Sequence, residues 1–186
     1  MYLWILRTWA ALGIFWLAAG IFRKPFARKQ SAKSRFIQGS LILAGFLLAL
    51  HPLLAVGPLA WRFLPETAGV GILGLTLTVS GAAFAIWARV VLGRNWSGIA
   101  AVKQDHELVR RGPYALVRHP IYTGFLLALA GSAIAIGEVR GLIGFALIWA
   151  AFWMKIRMEE AFMRQQFGHQ YREYETKVKA LIPGVL

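Results

Sequence analysis

Apolar residues run along this chain in long blocks rather than on one face of short elements, and most charges fall between the blocks. A helix needs roughly 20 apolar residues to cross the hydrocarbon layer of a bilayer. Five blocks suit that purpose: residues 3–22, 36–56, 69–92, 121–136 and 141–154. The fourth is short, and the fifth runs on into charged sequence. Pro25, Pro58, Pro65, Pro113 and Pro120 punctuate the joints. The first block carries Arg7, which can snorkel. It is too long and too rich in Trp for a signal peptide, and no small-residue cleavage site follows. The third holds Gly74, Ser80, Gly81 and Ala82, small residues that permit close helix packing. Residues 161–180 mix Phe162, Phe167, Tyr171, Tyr174 and Val178 with charges, as in an amphipathic helix lying on a membrane surface. The expected fold is all-α: five transmembrane helices and a C-terminal amphipathic helix, in one integral membrane domain over residues 1–186.

The distribution of cations supports five spans. Residues 23–35 hold six Lys and Arg and no acid, residues 93–120 hold five, and the segment from Lys155 holds six. The intervening joints contribute only Arg62 and Arg140. Alternate loops are therefore cation-rich, which places the N-terminus outside and the C-terminus in the cytoplasm, in the inner membrane if the source is bacterial. Composition agrees: 58% of the 186 residues are hydrophobic and 16% charged, against about 25% charged in a soluble domain. The net charge of +13 then needs no nucleic acid, because anionic lipid headgroups are a sufficient partner. There is no cysteine, which excludes disulfides, thiolate metal sites and a thiol nucleophile. The four His show no ligand spacing, so no metal is expected. P-loop, dinucleotide-binding and nucleophile-elbow motifs are absent.

Polar chemistry concentrates on the side expected to be cytoplasmic. Arg118, His119 and Pro120 stand at the mouth of the fourth block, after the Gly112-Pro113 turn and Tyr114. Pro suits a first helical position, and the amides that follow it favour an anionic group, as Arg118 does. A basic loop touching lipid phosphate would also account for these residues. Glu159 and Glu160 lie where the fifth block leaves the membrane, two adjacent acids among only eight. Lys155–Glu159 and Glu160–Arg164 are i,i+4 pairs, so a solvated, salt-bridged face explains them too. The two acids point about 100° apart on a helix, and at most one readily enters a given site. Asn95, Trp96 and Ser97 end the third block as turn residues, an interface anchor or contacts to a substrate headgroup. His51 and His169 read as structural or surface residues.

Gly112-Pro-Tyr, Arg118-His-Pro-x-Tyr-x-Gly124, Glu159-Glu160, and Phe167-Gly-x-x-Tyr-x-x-Tyr174 with Ile182-Pro183 occur in that order. The ordered set resembles the isoprenylcysteine carboxyl methyltransferase family and the related phospholipid N-methyltransferases. The resemblance covers residues 85–183, and residues 1–84 carry no motif. It implies an integral membrane enzyme that uses S-adenosylmethionine to methylate a lipid-like or isoprenoid acceptor, with carboxylate O-methylation favoured. It also implies cofactor contacts from His106, Glu107, Leu108, Val109, Gly112, Pro113, Tyr114, Arg118, His119, Pro120 and Tyr122, and from Glu159 or Glu160. Asn95, Trp96 and Ser97 are expected on the acceptor side. Lys155, Arg157 and Glu160 are expected to act at the reaction centre. The family pattern places Arg four residues before the first Glu, whereas this chain has Lys155 there and Arg157 nearby. Lys cannot make the planar bidentate contact of Arg. The alternatives are a phosphatidylethanolamine N-methyltransferase, an NADPH-dependent sterol-reductase-like enzyme and a non-catalytic membrane subunit. An acid pair disfavours NADPH, whose 2′-phosphate it would repel.

Overall fold

The computed structural model describes residues 1–20, 26–96, 101–103 and 107–185. Six helices are present among them: α1 (Tyr2–Ala19), α2 (Ala32–Leu50), α3 (Ala68–Leu92), α4 (Pro120–Ile136), α5 (Val139–Phe167) and α6 (His169–Lys177). Four of these, α1, α2, α3 and α5, are long and apolar enough to cross a membrane, while α4 is a shorter apolar helix of 17 residues. The helical expectation needs one addition. Strands β1 (Phe26–Lys29) and β2 (Ala101–Lys103) form a short antiparallel pair, with Phe26 opposite Lys103 and Lys29 opposite Ala101.

Local chemistry sets most helix ends. Ser31 caps α2 by accepting a hydrogen bond from Ser34 N at 3.2 Å, so that helix starts before its apolar block. It stops at His51, which precedes Pro52 and takes an extended conformation. Thr67 caps α3 in the same way, through Val70 N. The fifth apolar block runs on into charged sequence as one helix: α5 continues for 29 residues, about 43 Å, and overshoots a hydrocarbon layer of roughly 30 Å. Gly168, at φ +53°, ends it and admits the turn into α6. The expected amphipathic stretch 161–180 is thus divided: its first part extends α5, and only nine residues form α6.

Two close helix pairs carry the bundle. A Cβ on Gly81 would sit 2.4 Å from Ala128 N, and one on Gly74 would sit 2.5 Å from Gly131 O, so α3 and α4 touch backbone to backbone. Gly45 and Gly144 do the same for α2 and α5, where a Cβ on Gly144 would lie 2.5 Å from Gly45 O. Without a hydrophobic force between helices in lipid, such close approach is the source of packing energy. Thr78 Oγ1 and Ser132 Oγ join α3 to α4 at 3.2 Å, and Trp9 Nε1 of α1 donates to Ser132 Oγ at 3.0 Å. Each of these polar groups is satisfied within the bundle, as an apolar surrounding demands.

The joints segregate to opposite ends. The β1–β2 pair links the first and second cation-rich segments, and Arg118 N donates to Lys179 O, which adds the C-terminal segment to the same end. At the other end Val139 N donates to Trp61 O and Phe63 N to Gly137 O, joining the two cation-poor joints.

Candidate active site

The site is built where α4 begins, α5 overshoots and the C-terminal segment returns. Gly112, at φ +60°, turns the chain into the 3-10 turn Gly112–Ala115, which buries Pro113 and Tyr114. Tyr174 OH of α6 donates to Tyr114 O. His119 N donates to Ala180 O at 2.9 Å and Thr123 Oγ1 to Leu181 O at 2.8 Å, so residues 179–181 lie along the start of α4. Pro120 occupies the first position of that helix and leaves no amide unpaired there.

The adjacent acids part company, as their angular separation requires. Glu160 points back into the protein. Its Oε1 accepts from Arg118 Nε at 3.0 Å, from Arg118 Nη2 at 2.6 Å and lies 3.2 Å from His119 Nε2. Its Oε2 accepts from Arg164 Nη2 at 3.2 Å. Arg118 Nη1 donates to Val178 O at 2.5 Å. Glu159 instead faces a cleft, where Tyr122 OH reaches both its oxygens at 2.8 and 2.9 Å. His119 Nδ1 is 3.7 Å from Glu159 Oε2, and the His119 ring lies nearly parallel to that of Tyr122. His119 is therefore held between the two carboxylates. Lys155 is buried one helical turn before Glu159, its Nζ 5.5 Å from the centre of the Tyr122 ring.

The cleft is partly open and has a cavity volume of about 120 Å³. Leu92, Leu108, Val109, Ile121 and Met163 give it apolar walls. Tyr114, Tyr171 and Tyr174 contribute hydroxyl-bearing rings. Burial pushes the Tyr114 and Tyr171 hydroxyls well up and that of Tyr174 up to about 12, so all three stay neutral at physiological pH. Glu107 and Glu159 are the acids on the wall among the described residues. Such a surface suits a ligand with an aromatic or apolar body and one cationic group.

Of the residues singled out in the sequence, Asn95, Trp96, Glu107, Leu108, Val109, Tyr114, Arg118, His119, Tyr122 and Glu159 come together on this wall. Gly112, Pro113 and Pro120 shape the turns behind it. Three residues are placed otherwise than expected. Glu160 is a buried clamp on Arg118 and His119 rather than a wall residue, and the Arg118 guanidinium is turned to Glu160 and Val178 O rather than left for a ligand anion. Arg157 is exposed and lies over Trp153 at 6.0 Å, away from the cleft, because it stands about 200° around α5 from Lys155. His106 and Ser97 lie outside the described residues. Tyr171, Tyr174 and Met163 were not foreseen as wall residues. The i,i+3 spacing of the two tyrosines signals one buried face, but only the fold shows what that face covers.

A bundle of apolar helices with a cleft at its cation-rich end, and acids on the cleft wall, defines an integral membrane protein with a site for a small polar ligand beside the bilayer. The family model of the isoprenylcysteine carboxyl methyltransferase family matches residues 73–165. A probable protein-S-isoprenylcysteine O-methyltransferase of Oryza sativa subsp. indica is 31% identical over 181 residues, covering 95% of this chain and 94% of that protein. The protein-S-isoprenylcysteine O-methyltransferase of Schizosaccharomyces pombe is 39% identical over 99 residues, covering 52% of this chain and 42% of its own. A solved structure of the eukaryotic intramembrane Ras methyltransferase of this family aligns with a TM-score of 0.55 and 24% identity, over 86% of this chain and 55% of that one, and shares the fold. The chain belongs to the isoprenylcysteine carboxyl methyltransferase family and is a membrane methyltransferase. The sterol-reductase-like and non-catalytic alternatives fall away.

Proposed function

We propose that the cleft binds S-adenosylmethionine and that the enzyme methylates the carboxylate of an isoprenylated cysteine, with five spans and the cleft on the cytoplasmic side. The observation that carries the cofactor assignment is Glu159, a carboxylate on the wall, fixed by Tyr122 and backed by His119. The donor set fits the group: an acid for the cofactor's ammonium, apolar walls from Leu108 and Val109, and neutral tyrosine hydroxyls for its polar edges. When bound, the cofactor supplies an electrophilic methyl group on a sulfonium. Everything else is the task of the chain's own residues. Glu159 binds the cation, Tyr122 orients Glu159, and Glu160 holds Arg118 and His119 in place. Lys155 places a positive charge beneath Tyr122, where it attracts the acceptor carboxylate.

A carboxylate ionised at neutral pH needs no general base. It needs alignment and loss of water, effects worth up to about 7–11 kcal/mol in well-oriented systems. The carboxylate acceptor is supported by the relatives' names. Five spans and the cytoplasmic placement of the cleft rest on the segregation of cation-rich and cation-poor joints to opposite ends.

Calorimetry on the detergent-purified chain should show S-adenosylhomocysteine binding and no NADPH binding. With labelled cofactor and N-acetyl-S-farnesylcysteine, the label should appear in a base-labile ester. Base-stable label, found only in amine lipids, would overturn the carboxylate assignment. Lys155→Met should raise the acceptor KM by about tenfold or more, the worth of a charged hydrogen bond, and Lys155→Arg should restore most of the loss. An unchanged KM in Lys155→Met would remove Lys155 from the acceptor site.

A further inference from the structure

A second cavity lies at the other end of the bundle from the cleft. It is partly open, has a volume of about 490 Å³, and is walled by the starts of α1, α3 and α5, the end of α4 and the joint before α3. Ile121 on the cleft wall and Ile136 on the wall of this cavity stand 15 residues apart on α4, about 22 Å. The two are therefore separate sites. Close-packed protein leaves few voids larger than a water molecule, and this one has charged side chains on its wall.

Arg62 and Glu138 face each other in an antiparallel bridge, and both stand on the cavity wall. Opposite charges in that register ordinarily pair, yet among the described residues these two form ion pairs with other groups and not with each other. Arg62 Nε donates to Leu64 O at 3.2 Å, and Nη1 meets the exposed Glu66 at 3.5 Å. A guanidinium has five N–H donors, so several remain for an anion. Glu138 accepts from the buried Arg140 through Oε2 at 2.5 Å, and no described residue donates to its Oε1. Arg140 is itself fixed by Leu48 O at 3.1 Å and His51 O at 3.2 Å, which keeps Glu138 from swinging to Arg62. A cation with spare donors beside a carboxylate with a spare oxygen suits a zwitterion.

The depth of the cavity says where that zwitterion comes from. Trp4 and Trp61 are exposed at this end, and Arg7 lies over the Trp4 ring at 4.8 Å. Exposed Trp marks the boundary between membrane and water. Leu3, Ile72 and Leu73 are exposed beside the cavity on α1 and α3, where acyl chains would run. We propose that the cavity binds the phosphoethanolamine headgroup of a phospholipid in the leaflet away from the active site, its phosphate on Arg62 and its ammonium on Glu138. Arg suits phosphate because its planar fork donates two parallel bonds. A choline headgroup has no N–H to give Glu138 and calls for an aromatic cage, whereas Tyr2 is the one aromatic side chain on this wall among the described residues.

The test is native mass spectrometry of the full chain, purified in detergent and offered an equimolar mixture of dioleoyl phosphatidylethanolamine, phosphatidylcholine and phosphatidylglycerol. The wild type should retain one phosphatidylethanolamine with about tenfold or greater preference over each of the others, the worth of a charged hydrogen bond. Arg62→Gln should weaken that retention by about tenfold. Glu138→Gln should bring the ratio of phosphatidylethanolamine to phosphatidylcholine close to one. Should that variant fail to fold, Arg62→Gln carries the test, since the Arg62 side chain is 34% exposed. Equal retention of the three lipids by the wild type overturns the proposal, as does unchanged retention in Arg62→Gln. Displacement by free O-phosphoethanolamine at the lipid's own concentration also overturns it, by making the ligand a soluble zwitterion. Loss of retention in Glu159→Gln would put the lipid in the cleft and overturn it too. The methyltransferase reading stands in every one of these cases.

Discussion

Glu160→Gln should lower the stability of the solubilised protein and its affinity for S-adenosylhomocysteine together, whereas Glu159→Gln should lower the affinity alone. Glu160 is buried, and three groups converge on its two oxygens: the Arg118 guanidinium, the His119 ring and the Arg164 guanidinium. Removing one member of a buried ion pair leaves the other charge uncompensated and costs about 3–5 kcal/mol. Gln also turns an N–H₂ toward donors, so the loss is not repaired by shape. The half-exposed Arg164 adds little, because solvent screens it and Glu175 already holds it. Thermal unfolding should show a fall of about 10 °C. Arg118 also carries the C-terminal segment through Val178 O, so its release loosens the wall at Tyr171 and Tyr174. Glu159 bears no such load. Its contacts are Tyr122 and the edge of His119, and its removal deletes one charged ligand contact, about 10- to 100-fold in affinity. If the two variants behave alike in both measurements, the division of the pair into wall and clamp is wrong.

Gly81→Val should abolish a folded, cofactor-binding protein, while Gly13→Val in α1 should be tolerated. A Cβ at Gly81 meets Ala128 N at 2.4 Å and Gly124 O at 2.5 Å, both backbone atoms that cannot rotate away. Gly124 faces back toward Gly81 O at 2.6 Å, so neither helix has room to yield. Relief requires α3 and α4 to separate, which breaks the Thr78–Ser132 contact and the Trp9 hydrogen bond that depends on it. The cost belongs to the large overpacking class, about 4 kcal/mol or more. Because α3 leads into the turn at Asn95 and Trp96, while His119 precedes α4 and Tyr122 stands in its first turn, their separation also pulls the cleft apart. Gly13 has no atom within 4 Å of its Cβ direction and serves as the control. Size-exclusion profiles with S-adenosylhomocysteine calorimetry would decide, and a monodisperse, binding-competent Gly81→Val protein would refute the packing argument.

Much of the architecture is legible in one dimension because a bilayer imposes a one-dimensional rule. A helix in lipid must present apolar side chains all round for the thickness of the hydrocarbon, so blocks of hydropathy mark α1, α2, α3 and α5. The alternation of cations likewise anticipates the two groups of joints that the backbone brings to opposite ends. The end of α5 escaped this rule. Beyond the apolar block its residues are charged, and only Gly168 with a positive φ marks where the helix stops. The β1–β2 pair escaped because strands of four and three residues carry too few positions for a period to show.

The ordered motifs determined the kind of chemistry, and the hydropathy blocks determined that it happens beside a membrane, since both are properties of residue type and spacing along one chain. Which acid faces the cleft, that Arg118 is occupied by Glu160 and that Arg157 lies off the site were decided only by tertiary structure. Those outcomes depend on contacts between residues 37 to 60 positions apart, such as Tyr122 with Glu159 and Tyr174 with Tyr114. Adjacent residues on a helix are chemically alike on paper but point about 100° apart, and only the packing of α4, α5 and the C-terminal segment decides which direction is a wall and which a core.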